Sequence, residues 1–132
     1  MDTLTVRTAN QVEFVDVTQQ VRQWLQQQSV TAGVLTLYVP HTTAGITINE
    51  NADPDVIGDM TRELNKVIPF EDDYRHREGN AAAHIKSSIM GTSLQVIVDR
   101  GELVLGTWQG IFFAEFDGPR SRKLHLQLVA GG

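Results

Sequence analysis

The sequence predicts an α+β fold: a single-domain sandwich with two or three helices packed on one face of a mostly antiparallel sheet. Three observations carry this expectation. Four strand-like runs close the chain, at 94–99, 102–105, 110–116 and 123–129, and Asp99-Arg100-Gly101 joins the first two as a tight hairpin turn. Asp53-Pro54 opens a helix, with an acceptor at the N-cap and a proline at the first helical position. The length of 132 residues suits one domain, 1–132, and no repeat or linker divides it.

In chain order, residues 3–8 and 12–17 are rich in β-branched side chains and are separated by Ala9-Asn10. Thr18 predicts the N-cap of a helix over 19–28, with Val21, Trp24 and Leu25 at core spacing. Gly33 opens a strand that Pro40 stops, because proline lacks the donor a ladder needs. Ile46 and Ile48 mark a short strand with Thr47 and Asn49 on its opposite face. The helix from Pro54 carries Val56, Ile57, Met60, Leu64, Val67 and Ile68 at helical spacing, and Pro69 limits it. Residues 70–80 are polar, unpatterned and longer than a minimal connector. Asn80 predicts the cap of a helix over 81–90, which Gly91 ends. In the last strand Leu124, Leu126 and Leu128 alternate with His125 and Gln127, which assigns His125 to a solvent-facing side.

Composition narrows the chemistry. With no Cys there is no disulfide framework and no thiolate site, so any metal must take His, Asp or Glu. The net charge is −5, from 8 acids and 4 bases up to residue 66 and 8 acids and 7 bases after it. No basic stripe exists, which argues against a nucleic-acid partner. An anionic substrate needs local cations or a metal to offset that field. No apolar run reaches the roughly 18 residues of a membrane helix, and Met1-Asp2-Thr3-Leu4 lacks a leader's basic and apolar regions. A cytoplasmic protein without a membrane partner is expected.

Several segments hold candidate chemistry. His41 follows the strand ended by Pro40, His76 lies in the polar loop, and His84 lies in the helix that loop feeds. Imidazoles at loop ends are candidate metal ligands, although each also suits an ordinary surface or capping position. Residues 41–55 crowd Thr42, Thr43, Asn49, Glu50, Asn51 and Asp53 around one short strand, where Asp53 equally suits a helix cap. In Gly106-Thr107-Trp108-Gln109-Gly110, Trp108 either stacks on a flat heterocycle whose edge Gln109 reads, or fills the core at a kinked crossover. Arg120, Arg122 and Lys123 form the one basic cluster, a phosphate site or a solvated hairpin turn. Lys86 points about 200° around the helix from His84, whereas Ser87 and Ser88 share the His84 face. No GxSxG elbow, phosphate loop or GxGxxG fingerprint is present.

Four ordered segments resemble one family: 41–55, then Arg75 to Ser88, then Leu105 to Gly110, then Glu115 to Arg120. They are similar to the YjbQ-like (UPF0047-type) proteins, described as secondary thiamine-phosphate synthase enzymes. The resemblance implies a compact α+β domain, a homotrimer and a histidine cleft that takes a divalent metal ion of the Zn or Mg class. By position it makes His41, His76 and His84 the metal ligands. The ascribed reaction joins hydroxymethylpyrimidine diphosphate to a thiazole phosphate, releasing diphosphate. Its demands nominate Lys86, Arg120 and Arg122 for the leaving diphosphate and Trp108 for the developing pyrimidine cation. They nominate Glu50 or Asp53 for proton transfer. Thr42, Thr43, Asn49, Asn51, Thr107 and Gln109 complete the substrate-binding candidates. Two other functions stay open: a different metal-dependent, hydrolytic reaction at the same histidines, and a non-enzymatic trimeric ligand-binding module.

Overall fold

The structure is a computed structural model that describes residues 1–131. These form β1 (Asp2–Arg7), β2 (Glu13–Asp16), α1 (Thr18–Gln26), β3 (Gly33–Tyr38), β4 (Ala44–Glu50) and α2 (Pro54–Val67). There follow α3 (Ala81–Met90), β5 (Ser93–Asp99), β6 (Glu102–Leu103), β7 (Gln109–Glu115) and β8 (Ser121–Ala130). The strands make two antiparallel sheets, ordered β1-β8-β3-β5-β6 and β2-β7-β4. The α+β sandwich is therefore built from two sheets where the sequence led us to expect one.

Period-two patterning explains the first layer. Leu35 and Leu37 of β3, Val96 and Val98 of β5, and Leu124 and Leu126 of β8 turn one face inward. They meet Ala44 and Ile46 of β4 and Ile111 and Phe113 of β7, and α1 joins this core through Val21, Trp24 and Leu25. On the other face of β7, Phe112 and Ala114 pack with Phe14, Phe116 and Ala83, against Ile57, Met60 and Leu64 of α2. Strand β7 is thus buried on both faces. That is why Ile111-Phe112-Phe113-Ala114 shows no alternation in the sequence.

Local details depart from expectation at two helix starts. Val17, not Thr18, is the N-cap of α1. Asp16 Oδ1 accepts from the Thr18 N–H at 2.9 Å, and Thr18 Oγ1 accepts from the Ile111 N–H at 2.8 Å. The hydroxyl satisfies a strand amide and so ties α1 to β7. Asn80 stands at the cap of α3, but its Nδ2 donates to Asp117 Oδ2 at 2.9 Å and no side-chain cap bond forms. Asp53 does cap α2, accepting from the Asp55 N–H at 2.9 Å. In the β5–β6 hairpin both Arg100 (φ 53) and Gly101 (φ 76) are left-handed, the turn form that matches strand twist.

Helix α3 lies close on β4. The Ser87 hydroxyl donates to Ala44 O at 2.6 Å, and the Ile46 N–H donates to Gly91 O at 3.1 Å. A Cβ at Gly45 would meet Gly91 O at 2.6 Å and Met90 side-chain atoms at 3.2 Å. Gly45→Ala is accordingly expected to lift α3 from the sheet and cost about 1–3 kcal/mol. A lower urea midpoint at unchanged m-value checks this.

Candidate functional site

Between β3 and β4 the chain passes from the large sheet to the small one through Val39-Pro40-His41-Thr42-Thr43. This crossover is pinned at both ends. The Val39 N–H donates to Thr92 O at 2.7 Å, and the Phe116 N–H donates to Thr43 O at 3.1 Å. The crossover and α3 bound a cleft of about 760 Å³, lined by Tyr38, His41, Thr42, His84, Ser88 and Thr92 among others. Its lining offers imidazole and hydroxyl groups and no carboxylate. His41 Nε2 accepts from the Lys123 N–H at 2.9 Å. Burial first, and then the nearby Arg122 guanidinium, hold the His41 imidazole below its usual pKa.

Beneath His41 lies a buried ionic network. Arg122, 3% exposed, forms a short ion pair with Glu115 and donates to Thr43 Oγ1 at 2.8 Å. The Thr8 hydroxyl donates to Glu115 Oε1 at 2.8 Å. Burial pushes the Glu115 carboxyl up, but bonds from Arg122, Thr8 and the Asp117 N–H outweigh it and hold the carboxyl below its ordinary range.

A second groove, about 280 Å³, lies at the other end of β4 and is lined by Asp16, Glu50, Asn51, Asp53 and Ile57 among others. Seven strand residues, about 20 Å of chain, separate it from His41. Nearby, Trp108 is 63% exposed, so the core reading of this residue does not hold. Gln109 Oε1 closes the small loop by accepting from the Gly106 N–H at 2.7 Å.

Residues 2–131 match the family described as UPF0047 protein YjbQ-like. The chain belongs to that family. This YjbQ-like chain is 52% identical over 130 residues to the UPF0047 protein YugU of Bacillus subtilis, covering 98% of each. It is 48% identical over 124 residues to UPF0047 protein MJ1081 of Methanocaldococcus jannaschii, covering 94% of this chain and 90% of that one. Among solved structures, an uncharacterized conserved yjbq/upf0047 protein of Clostridium acetobutylicum superposes with a TM-score of 0.95 at 50% identity, covering 98% of this chain and 100% of that one. No helix of the YjbQ-like chain is long and apolar enough to cross a membrane.

Within one YjbQ-like chain the three histidines do not form the expected ligand set. His76 and His84 meet edge to face with ring centroids 5.3 Å apart. His41 lines the same cleft as His84, but its Nε2 lone pair is already engaged. Among the described residues no group of three or more His, Asp or Glu is placed to share an ion. A three-histidine metal centre therefore does not fit a single chain.

The other candidates sort by burial. Thr42 and Ser88 face the cleft, whereas Thr43 is spent on Arg122 and the backbone. Arg122 cannot reach a phosphate in solvent because Glu115 holds it inside, a correction to its place in the basic cluster. Arg120 stays exposed, tethered to Asp117 at 3.2 Å. Lys86 is fully buried, its Nζ donating to Asn65 Oδ1 at 2.7 Å and lying 3.8 Å from the Phe70 ring centroid. It braces α2 and the 70–80 loop against α3, and so cannot touch a leaving group in the cleft. Glu50, Asn51 and Asp53 lie in the second groove, where Glu50 Oε2 accepts from the Asp53 N–H at 3.3 Å. Asn49 binds the neighbouring Glu50 N–H at 2.8 Å, and Thr107 stands exposed beside Trp108.

Sequence reasoning missed Tyr38 and Thr92 in the cleft lining, and it missed the Glu115–Thr8–Arg122 network. One signal was available for the network. Glu115 interrupts an otherwise apolar strand, and an acid there must find a cation.

Proposed function

We propose that the chain is a small-molecule enzyme whose His41–His84 cleft takes a phosphorylated heterocycle, with a reaction of the thiamine-phosphate synthase type. The cleft lining carries this reading: imidazole and hydroxyl donors without a carboxylate, with Arg120 near His41 and the Arg122 charge offset by its buried partner Glu115. Such donors meet phosphate oxygens in a chain whose overall field of −5 repels them. In the reaction, the thiazole nitrogen attacks the methylene carbon of hydroxymethylpyrimidine diphosphate. The carbon–oxygen bond to the diphosphate breaks, and the diphosphate leaves with that electron pair. Donors aimed at the leaving group stabilise its growing charge.

A homotrimer is part of the proposal. Ile97, Val34 and Val129 stand in one cross-strand row on the outer face of the five-stranded sheet, 62, 39 and 60% exposed. Thr36, Gln95 and Gln127 beside them carry no charge, and depletion of charge is the compositional mark of an interface centre. Sedimentation is expected to give three times 14.7 kDa, and a monomer would remove this half of the proposal.

The test of activity is thiamine phosphate formation by purified protein, with and without Mg²⁺. His84→Ala is expected to lower the rate on the order of 100-fold, the size of one lost proton-transfer or donor group. Equal rates in both proteins would mean a contaminating enzyme and end the reading.

A further inference from the structure

We infer that His41 is a hydrogen-bond donor of fixed tautomer, presenting Nδ1–H to an anionic or carbonyl oxygen of the bound ligand, and that it is not a metal ligand. An amide N–H can only donate, so the Lys123 N–H at 2.9 Å requires a lone pair on His41 Nε2. A neutral imidazole carries one proton, and that proton must then sit on Nδ1.

Both routes to a metal are closed by the same contact. An ion on Nε2 must displace the Lys123 amide. An ion on Nδ1 moves the proton to Nε2, where it faces the donor of Lys123. Either route leaves a strand amide of β8 without its acceptor.

The surroundings hold this state in place. Arg122 and Glu115 form a buried pair whose opposite charges both act on the ring, so the imidazole sits in the field of a fixed cation and its fixed partner. Thr43, two residues on, is clamped by Arg122 at 2.8 Å. Arg122 thus fixes the chain two residues from His41. No hydrogen bond within the described residues engages Nδ1, and the ring lines the open cleft. The arrangement is a preorganised donor, and Thr42, Ser88 and Thr92 supply further hydroxyls in the same lining.

This inference rests on the cleft being the ligand site, as proposed above, but the experiment separates the two. Long-range ¹H–¹⁵N correlation spectra of the histidine rings read which nitrogen carries each proton. His41 is expected to show the Nδ1–H form, to keep it when Zn²⁺ is added, and to shift when inorganic phosphate is added. An Nε2–H form, or conversion of His41 to a zinc-bound form, would overturn the inference. An Nδ1–H ring that ignores phosphate while His84 responds would overturn its role as donor.

Two variants add a readout that folding alone does not move. An asparagine amide can stand where Nδ1–H stood, so His41→Asn should keep phosphate affinity within about threefold while His41→Ala loses roughly tenfold. Equal losses would count against the donor role, and circular dichroism of both variants reports their folding. Failure to make thiamine phosphate, with these results intact, would remove the proposed reaction and leave the assignment of His41 standing.

Discussion

Arg122→Ala is expected to destabilise the protein by about 3–5 kcal/mol, because it leaves the Glu115 carboxylate buried without its cation. In a chain of this size that lowers the melting temperature by on the order of 10 °C or more. A double variant, Glu115→Leu with Arg122→Met, removes both charges and should recover most of the loss, since an apolar replacement of a buried pair is often neutral. Acid titration gives an independent check. The folded Glu115 carboxyl lies below its ordinary value of 4.5, so its contribution is fully present above that value and is lost as pH falls through the folded one. Wild-type urea midpoints should fall across that acid window. Midpoints that fall equally in the double variant would show that Glu115 contributes nothing to acid stability.

Lys86 gives the opposite trend at high pH. Burial lowers its pKa from 10.5 to about 8, and no carboxylate pairs with it among the described residues. Between these values the unfolded chain keeps the proton that the folded chain has released. Stability therefore rises with pH across that window, by on the order of 3 kcal/mol if the buried amine titrates freely. The Phe70 ring and Asn65 favour the ammonium and reduce the rise. Lys86→Met keeps the packing volume and removes the titration, so its stability should stay flat from pH 8 to 10 while the wild type climbs. Parallel curves would mean that Lys86 is hydrated in solution.

Much of the fold was legible because its signals are local. Asp53-Pro54 caps a helix through its own neighbours, and the turn at Arg100-Gly101 needs only two residues in the left-handed region. Leu124 and Leu126 alternate because β8 has one inner face. What stayed hidden was the division into two sheets, since Phe112 and Phe113 point to different cores and nothing local says which. The caps at Thr18 and Asn80 misled for a related reason. Each side chain had a distant partner, Ile111 or Asp117, that competed with the local amide.

The site divides along the same line. Sequence alone determined residue chemistry: no thiolate, three histidines outside apolar patterning, one basic cluster, and the ordered motifs that place the chain among YjbQ-like proteins. Only the tertiary structure decided availability. It drew Arg122 and Lys86 inside and set Glu50 and Asp53 at the far end of β4 from His41. It also spent His41 Nε2 on a strand 82 positions away. The physical reason is that a side chain's identity travels with the chain, whereas its solvation and its free lone pairs depend on neighbours brought in by folding.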